Sequence, residues 1–186
     1  MAAVLFTAVG GAALQVATSV VSYAVMGVWA VGDLLINDGK GAWADMCNIN
    51  WNPFNTDESA TLNSSSISFY KGVPVFRTTA ERSGSFGAIF LTKGSVADDL
   101  RHERGHNWQL MMMGIGTYGF TVAIPSPLKL GKWDRAGNYY GAPWETIADI
   151  LGGVTGRTHS RSEMQNAWGY YAVSTLFFPF TALYWF

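Results

Sequence analysis

Two histidines stand four residues apart in the stretch DDLRHERGHNWQL, and a glutamate directly follows the first of them. On an α-helix, residues i and i+4 lie one turn apart on the same face, so His102 and His106 can converge on one ion. Glu103 then lies beside that face. At this spacing two imidazoles bind zinc and the glutamate acts as a general base toward the attacking water. The stretch therefore predicts a hydrolytic metal site.

The pattern has one structural alternative. A shuffled chain of the same composition contains it on the order of one time in a thousand, so chance is a poor explanation. The alternative is a solvated helix face, of which Arg101, Glu103 and Arg104 are ordinary charged members. A third ligand would favour the metal site, because catalytic zinc needs three protein ligands and an open position for water.

The candidates for the third ligand lie downstream. Cys47 is a single cysteine far upstream, which leaves His159 and the carboxylates. In the stretch PWETIAD, Glu145 and Asp149 are one helical turn apart, so Glu145 can bind the metal while Asp149 orients one of the histidines. Taken alone, Glu145 is also an ordinary acidic residue in the first turn of a helix, where the helix dipole favours it. The upstream histidine pair favours the ligand interpretation.

Composition narrows the classes of function. The chain has 186 residues, enough for one domain with its own core, and a formal net charge of −1 from 12 basic and 13 acidic side chains. There is no basic field to attract nucleic acid, so we expect no nucleic-acid partner. A single cysteine excludes an intrachain disulfide framework and a cysteine-rich zinc site.

The first 36 residues are predicted to form an apolar helical head. Residues 1–32 carry no charged side chain and exceed the roughly 20 residues that a bilayer span needs. A secretory signal peptide fits less well, because no basic residue precedes the apolar run. Two interpretations stay open for this segment: contact with a membrane through residues 1–32, or packing on the core of the domain.

The middle of the chain predicts a loop and then a small sheet. Residues 37–66 are rich in Asn, Gly, Ser and Asp and read as a linker. The stretch SISFYKGVPVFRT predicts a β-hairpin around Lys71 and Gly72, with Pro74 favouring an edge position for its strand. Residues 86–92, FGAIFLT, predict a further short strand. We expect a small antiparallel sheet.

Two helices should carry the polar residues. The first is expected to begin between Val96 and Asp99, where acidic side chains favour a helix start. Gly105 lies inside it at a cost of about 1 kcal/mol relative to alanine, which indicates a close backbone approach on that side. The second should begin near Pro143 and end at Gly152 and Gly153.

The two polar stretches together resemble the gluzincin branch of the zinc metallopeptidases. In that branch a second helix carries Glu-x-x-x-Asp after the His-Glu-x-x-His helix, as HERGH and ETIAD do here. The resemblance implies that His102, His106 and Glu145 are zinc ligands. It also implies that Glu103 is the general base and that Asp149 is the partner of His102.

A closer resemblance extends over residues 67–160. The runs SFYKGVPVFRT, RSGSFGAIFL, HERGHNWQL, AIPSP, YYGAPWETIADILGGV and RTHS look like the metallopeptidase domains at the C-termini of bacterial RHS/YD-repeat polymorphic toxins. This resemblance implies a secreted or delivered bacterial effector with an immunity or carrier protein as partner. Arg104 departs from the aromatic residue usual at its position in that group, which bears on substrate contacts and leaves every proposed ligand in place.

Further roles follow from the zincin resemblance. Zincins place an edge strand above the metal cleft, so FGAIFL would pair with the backbone of an extended substrate. The alternative is a strand that belongs to the core. His159 can donate to the oxyanion of the tetrahedral intermediate, with Tyr139 and Tyr140 as competing candidates. A solvated loop histidine between two arginines is the alternative for His159.

These observations predict an α+β, zincin-like fold. Its core, residues 67–161, would pack a small antiparallel sheet on the His-Glu-x-x-His helix and on a second helix that bears Glu145. Apolar helical segments, 1–36 and 162–186, would flank it, with the second packed on the core. The expected activity is zinc-dependent hydrolysis of a peptide or protein substrate.

Two other functions stay open. One is a membrane-perturbing toxin or membrane-anchored protein whose metal site is structural. The other is an intramembrane protease, which the charges around the two histidines disfavour because charge is expensive in hydrocarbon.

Overall fold

A computed structural model describes most of the chain after the head. The described residues are 52–64, 67–78, 81–126 and 137–176, together with positions 13, 17 and 20, which are helical and exposed. The expectations for the rest of the head and for the end of the C-terminal segment lie outside them. The chain divides into two compact units, one formed by residues 15–100 and the other by residues 1–14 and 101–186.

The first unit contains a short helix and a four-stranded sheet. The helix, α1, lies within the stretch expected to be a linker, and Asp57 caps it by accepting a hydrogen bond from the backbone of Ala60. The described elements of this unit are α1 (Glu58–Leu62), β1 (Ile67–Tyr70), β2 (Val73–Thr78), β3 (Gly84–Ser85) and β4 (Ile89–Thr92). The strands lie side by side in the order β1-β2-β4-β3.

The predicted hairpin is present. Strands β1 and β2 pair antiparallel, with Phe69 opposite Pro74, and Lys71 and Gly72 form the two-residue turn. Both turn residues have positive φ, 47° and 80°, which matches the twist of the flanking strands. The backbone N–H of Lys71 donates to the carbonyl of Asn55, so the preceding segment anchors the turn.

The sheet is mixed, so the expectation of an antiparallel sheet was wrong for its central pair. Strand β2 pairs parallel with β4, because the chain crosses from β2 to the outer edge, forms β3 there, and returns as β4. The edge position expected from Pro74 was also wrong. Strand β2 is internal, and Pro74 is accommodated because the pairing with β4 begins one residue later, at Val75.

Strand β4 begins at Ile89, three residues later than expected. It lies between β2 on one side and the short strand β3 on the other. Gly84 and Ser85 of β3 pair with Phe90 and Ile89. Ile89 and Leu91 are fully buried. This placement favours the interpretation of FGAIFL as part of the core of the sheet unit. That core consists of Tyr70, Val73, Val75, Ile89, Leu91 and Leu100, with Leu62 packed against it.

The helix expected to carry the two histidines is α2, Ala97–Tyr118. It begins where predicted, and Asp99 accepts a hydrogen bond from the backbone N–H of Val96. A kink at Gly114, with φ 76° and ψ 164°, interrupts its last part, and a π-helical turn follows at Gly119–Ala123. Within the described part of the chain, no helix has the length and apolar character needed for crossing a bilayer.

The second polar stretch forms α3, Pro143–Gly152, directly after a 3₁₀ turn at Tyr139–Gly141. Proline at its first turn and a left-handed Gly153, with φ 75°, match the predicted start and stop. Helix α4, Arg161–Leu176, follows. The apolar cluster of this unit consists of Leu110, Met113, Tyr118, Val122, Ala142, Trp144 and Tyr170.

Helices α2 and α3 meet backbone to backbone. A Cβ atom added to Gly105 would overlap the carbonyl oxygen of Ala148, and one added to Gly152 would overlap the carbonyl oxygen of Arg101. The close approach inferred from Gly105 is therefore present. It brings the histidine turn of α2 against the turn of α3 that follows Glu145.

Replacing Gly105 by alanine should push the two helices apart. We expect a loss of about 3 kcal/mol of unfolding free energy, because the added methyl group meets backbone that cannot rotate away. Chemical denaturation followed by circular dichroism measures this loss.

Gly116→Ala provides the matched control on the same helix. Nothing lies within 4 Å of a Cβ atom at Gly116, so alanine should stabilise the helix by about 0.5–1 kcal/mol. Equal effects of the two substitutions would contradict the close-approach interpretation.

Candidate metal centre

Three buried side chains converge between α2 and α3. His102 and His106 come from successive turns of α2, and Glu145 comes from the first turn of α3. The two Nε2 atoms lie 3.1 Å apart, and Oε2 of Glu145 lies 2.9 Å from Nε2 of His102 and 3.4 Å from Nε2 of His106. The three ligand atoms lie within 4.8 Å of one another, so this group could hold a metal ion.

The burial of Glu145 indicates what the group requires. Its side chain is 0% exposed, and Oε2 contacts the two imidazoles. Burial raises the pKa of this carboxyl, but the charge of His106 and the contact with His102 outweigh it and hold the pKa well below its usual range. A fully buried carboxylate is costly unless a cation compensates it. Protonated His102 supplies that charge in the protein alone, and a metal ion would supply it when bound.

The outward-facing ring nitrogens of both histidines are engaged. Nδ1 of His102 lies 2.6 Å from Oδ1 of Asp149, and Nδ1 of His106 lies 2.7 Å from Oε1 of Gln109. When an acceptor holds the proton on Nδ1, the lone pair of the ring is on Nε2. Both rings can therefore present Nε2 to the same point.

Asp149 is the centre of a larger polar cluster. Besides His102, it accepts a hydrogen bond from Nη1 of Arg157 at 2.8 Å and contacts Nε2 of His159 at 2.9 Å. Burial raises the pKa of its carboxyl, but the contact with His102, the charges of His102 and Arg157, and the hydrogen bond with His159 reverse the effect and lower it. The left-handed turn at Gly153 ends α3 and lets the following segment return to Asp149.

The two carboxylates also determine the protonation of His102. Burial alone would lower the pKa of this imidazole, because it disfavours the charged form. Asp149 and Glu145 overcome burial and raise the pKa to about 10, and the charge of Glu103 adds to their effect. In the protein alone His102 is therefore protonated at neutral pH, and a metal ion has to displace that proton.

The alternative interpretation of the motif, a solvated helix face, was wrong for Glu103 and Arg104. Glu103 is 6% exposed and Arg104 is 7% exposed. Glu103 directly follows His102, and its charge contributes to the raised pKa of both His102 and Tyr139. The guanidinium of Arg104 stacks over Trp108, 4.7 Å from the ring centre.

His159 is not a solvated loop residue, so that alternative was wrong. Its side chain is 10% exposed and its Nε2 contacts Asp149. The structure therefore places His159 beside the residue that supports His102, not among the three ligand atoms.

The two tyrosines also lie beside ligand residues. The hydroxyl groups of Tyr139 and Ser126 are 2.7 Å apart, and burial followed by the charge of Glu145 raises the pKa of Tyr139 far above its usual value. Tyr139 thus keeps its proton and can donate a hydrogen bond. The ring of Tyr140 meets the ring of His102 edge-on at 5.7 Å.

Sequence reasoning missed two members of the cluster. Gln109 lies three residues after His106, on the same helix face, so its spacing was a usable signal. Arg157, whose guanidinium stacks 3.7 Å from the ring centre of Tyr140, gave no such signal. Its contact with Asp149 depends on the turn at Gly153, which reverses the chain.

Comparison of the chain with protein-family models, with curated proteins and with solved structures gave no match. The assignment of this site therefore depends on its own geometry and on the chemistry of its donor atoms.

The group formed by His102, His106 and Glu145 predicts that the protein binds one metal ion per chain. Protein purified without a polyhistidine tag and supplied with zinc at neutral pH should hold about one ion per chain by elemental analysis. His102→Ala and Glu145→Ala should each lose it, because either change removes a ligand. Absence of stoichiometric metal in the parent protein would rule out the site.

Metal uptake should also release protons. Below a pKa of about 10 His102 carries a proton that zinc must displace, so between about pH 6.5 and 8 apparent zinc affinity should rise as pH rises, by up to about tenfold per pH unit. Calorimetric titrations in two buffers of different ionisation enthalpy count the released protons. A zinc affinity independent of pH over this range would contradict the assignment.

Proposed function

We propose that this protein is a zinc-dependent metalloendopeptidase. The observation that carries the proposal is the buried His102, His106 and Glu145 group with Glu103 beside it on the same turn of α2. A structural metal site needs no acidic residue besides its ligands, whereas hydrolysis needs a general base close to the metal.

The distances among the three ligand atoms support zinc. A tetrahedral zinc with ligands at about 2.0–2.1 Å has neighbouring ligand atoms about 3.3 Å apart. The observed separations of 3.1, 2.9 and 3.4 Å are close to that value. Two imidazoles and one carboxylate form a donor set common in catalytic zinc sites, which keep their fourth position for water.

Each residue then has a distinct task. Zinc would supply Lewis acidity toward the water and the peptide carbonyl. Glu103 takes the proton of the attacking water, for which its burial and its position next to His102 suit it. Tyr139 is the favoured donor to the developing oxyanion, because its hydroxyl stays protonated near Glu103 and Glu145. His159 supports Asp149, with which it is in contact.

The substrate class is an extended peptide or protein segment. This part of the proposal depends on the resemblance to the metallopeptidase domains of bacterial polymorphic toxins, as do delivery as an effector and neutralisation by an immunity protein. The buried triad and the Glu-x-x-x-Asp helix are compatible with that resemblance.

Replacing Glu103 by glutamine should separate metal binding from turnover. The amide keeps the size of the side chain but cannot accept a proton, so hydrolysis of an unfolded fluorescent casein should fall about 10²–10⁴-fold. Zinc content should stay at the parental value, since Glu103 is not among the three ligand atoms.

Glu81→Gln is the matched control. It makes the same carboxylate-to-amide change at an exposed position that precedes β3, and should leave hydrolysis close to the parental rate. Cleavage by Glu103→Gln at the parental rate would show that Glu103 is not the general base. Loss of zinc in that variant would show that Glu103 holds the metal.

A further inference from the structure

We infer that Gln109 is a positioning residue of the metal centre, which fixes the tautomer of His106 and ties this histidine to the helix that carries Glu145. The inference depends on the metal-binding part of the proposed function and not on the reaction catalysed.

Gln109 is buried deeply for an amide side chain. It is 1% exposed and lies one turn beyond His106 on the same face of α2. Burial of an amide is unfavourable unless its polar atoms find partners. Both ends of Gln109 have one: Oε1 lies 2.7 Å from Nδ1 of His106, and Nε2 donates to the carbonyl oxygen of Trp144 at 2.8 Å.

The contact with Trp144 determines which way the amide faces. A backbone carbonyl can only accept, so the NH₂ group of Gln109 must point toward Trp144. The carbonyl oxygen of the amide then faces His106 and can only accept from it. Nδ1 of His106 must therefore carry a proton, which leaves the lone pair on Nε2, the atom that faces Glu145.

The same amide links two ligands in space. Trp144 directly precedes Glu145 in the first turn of α3, so one side chain spans from the ring of His106 to the backbone beside Glu145. A shift of α3 along α2 would have to break this bridge as well as separate the ligand atoms. Gln109 thus supports both the orientation of His106 and its distance from Glu145.

Charge explains why an amide suits this position. His102 has a carboxylate partner, Asp149, whose charge Arg157 offsets at 2.8 Å. Glu145 and Glu103 are buried nearby as well. An acceptor without charge orients His106 and adds no further buried carboxylate to the cluster.

The test compares zinc affinity among three variants by competition with a chromogenic chelator. Gln109→Met keeps the length of the side chain but removes both hydrogen bonds, and zinc should bind about 10–100-fold more weakly. Gln109→Glu keeps the acceptor toward His106 and loses the donor toward Trp144. It adds a buried carboxylate, but it should still bind zinc more tightly than Gln109→Met, because it keeps the acceptor toward His106; equal losses in the two variants would contradict the role of that acceptor.

Asn107→Leu is the matched control. Asn107 is also buried on α2, but its amide donates to the backbone carbonyl of Glu103 and not to an imidazole ring. It should bind zinc within about threefold of the parent. A loss equal to that of Gln109→Met would overturn the inference, since it would show that removal of any buried amide from this helix weakens the site.

A second readout tests the tautomer directly. In zinc-loaded, histidine-labelled protein, ¹H–¹⁵N correlation spectra should show a protonated Nδ1 on His106 in the parent and in Gln109→Glu. The Gln109→Met spectrum should lose that slowly exchanging proton. A metal-binding parent whose affinity and spectrum Gln109→Met leaves unchanged would overturn the role of Gln109 alone, whereas a parent that binds no zinc would overturn the proposed function.

Discussion

The contact between the backbones of α2 and α3 is the constraint on which the candidate metal centre depends. At ordinary spacing, side chains separate the axes of two packed helices by about 8–10 Å. Gly105 and Gly152 remove those side chains at the crossing, so the two backbones meet there. The position of Glu145 beside the two histidines depends on this close approach.

The polar side chains around the triad solve a second problem, that of burying many charges in a small volume. Asp149 accepts from His102 and Arg157 and contacts His159, so its negative charge is shared among several donors. His106 instead faces the uncharged Gln109. The two imidazoles therefore have similar hydrogen-bonding arrangements but different electrostatic surroundings. The centre is asymmetric although its ligand pair is a simple repeat on one helix.

The sequence predicted those features that depend on local spacing. His102 and His106 converge because an α-helix has 3.6 residues per turn, and Pro143 and Gly153 bound α3 through local backbone preferences. The Lys71 and Gly72 hairpin is local in the same sense. Each of these could be read from a short window of residues.

Features that depend on the path of the chain could not be read in this way. The parallel pairing of β2 with β4 requires the chain to cross over between them, here by way of β3 at the outer edge, and no short pattern encodes this path. His159 looked like a solvated residue between arginines until the turn after α3 placed it against Asp149. Gln109 was missed for a different reason. In the sequence it could equally be an exposed polar residue, and only its burial and its contact with α3 show that it is the partner of His106.

The positions of the ligands along the chain have a consequence for folding. His106 and Glu145 are separated by about forty residues, so an ion held by both would act as a cross-link that closes a long loop. Closing a loop of that length removes conformational freedom from the unfolded chain, worth about 4 kcal/mol in a chain-entropy treatment of cross-links. The ion would thus contribute to the stability of the fold, and a chelator would weaken the association of the two helices in addition to removing the cofactor.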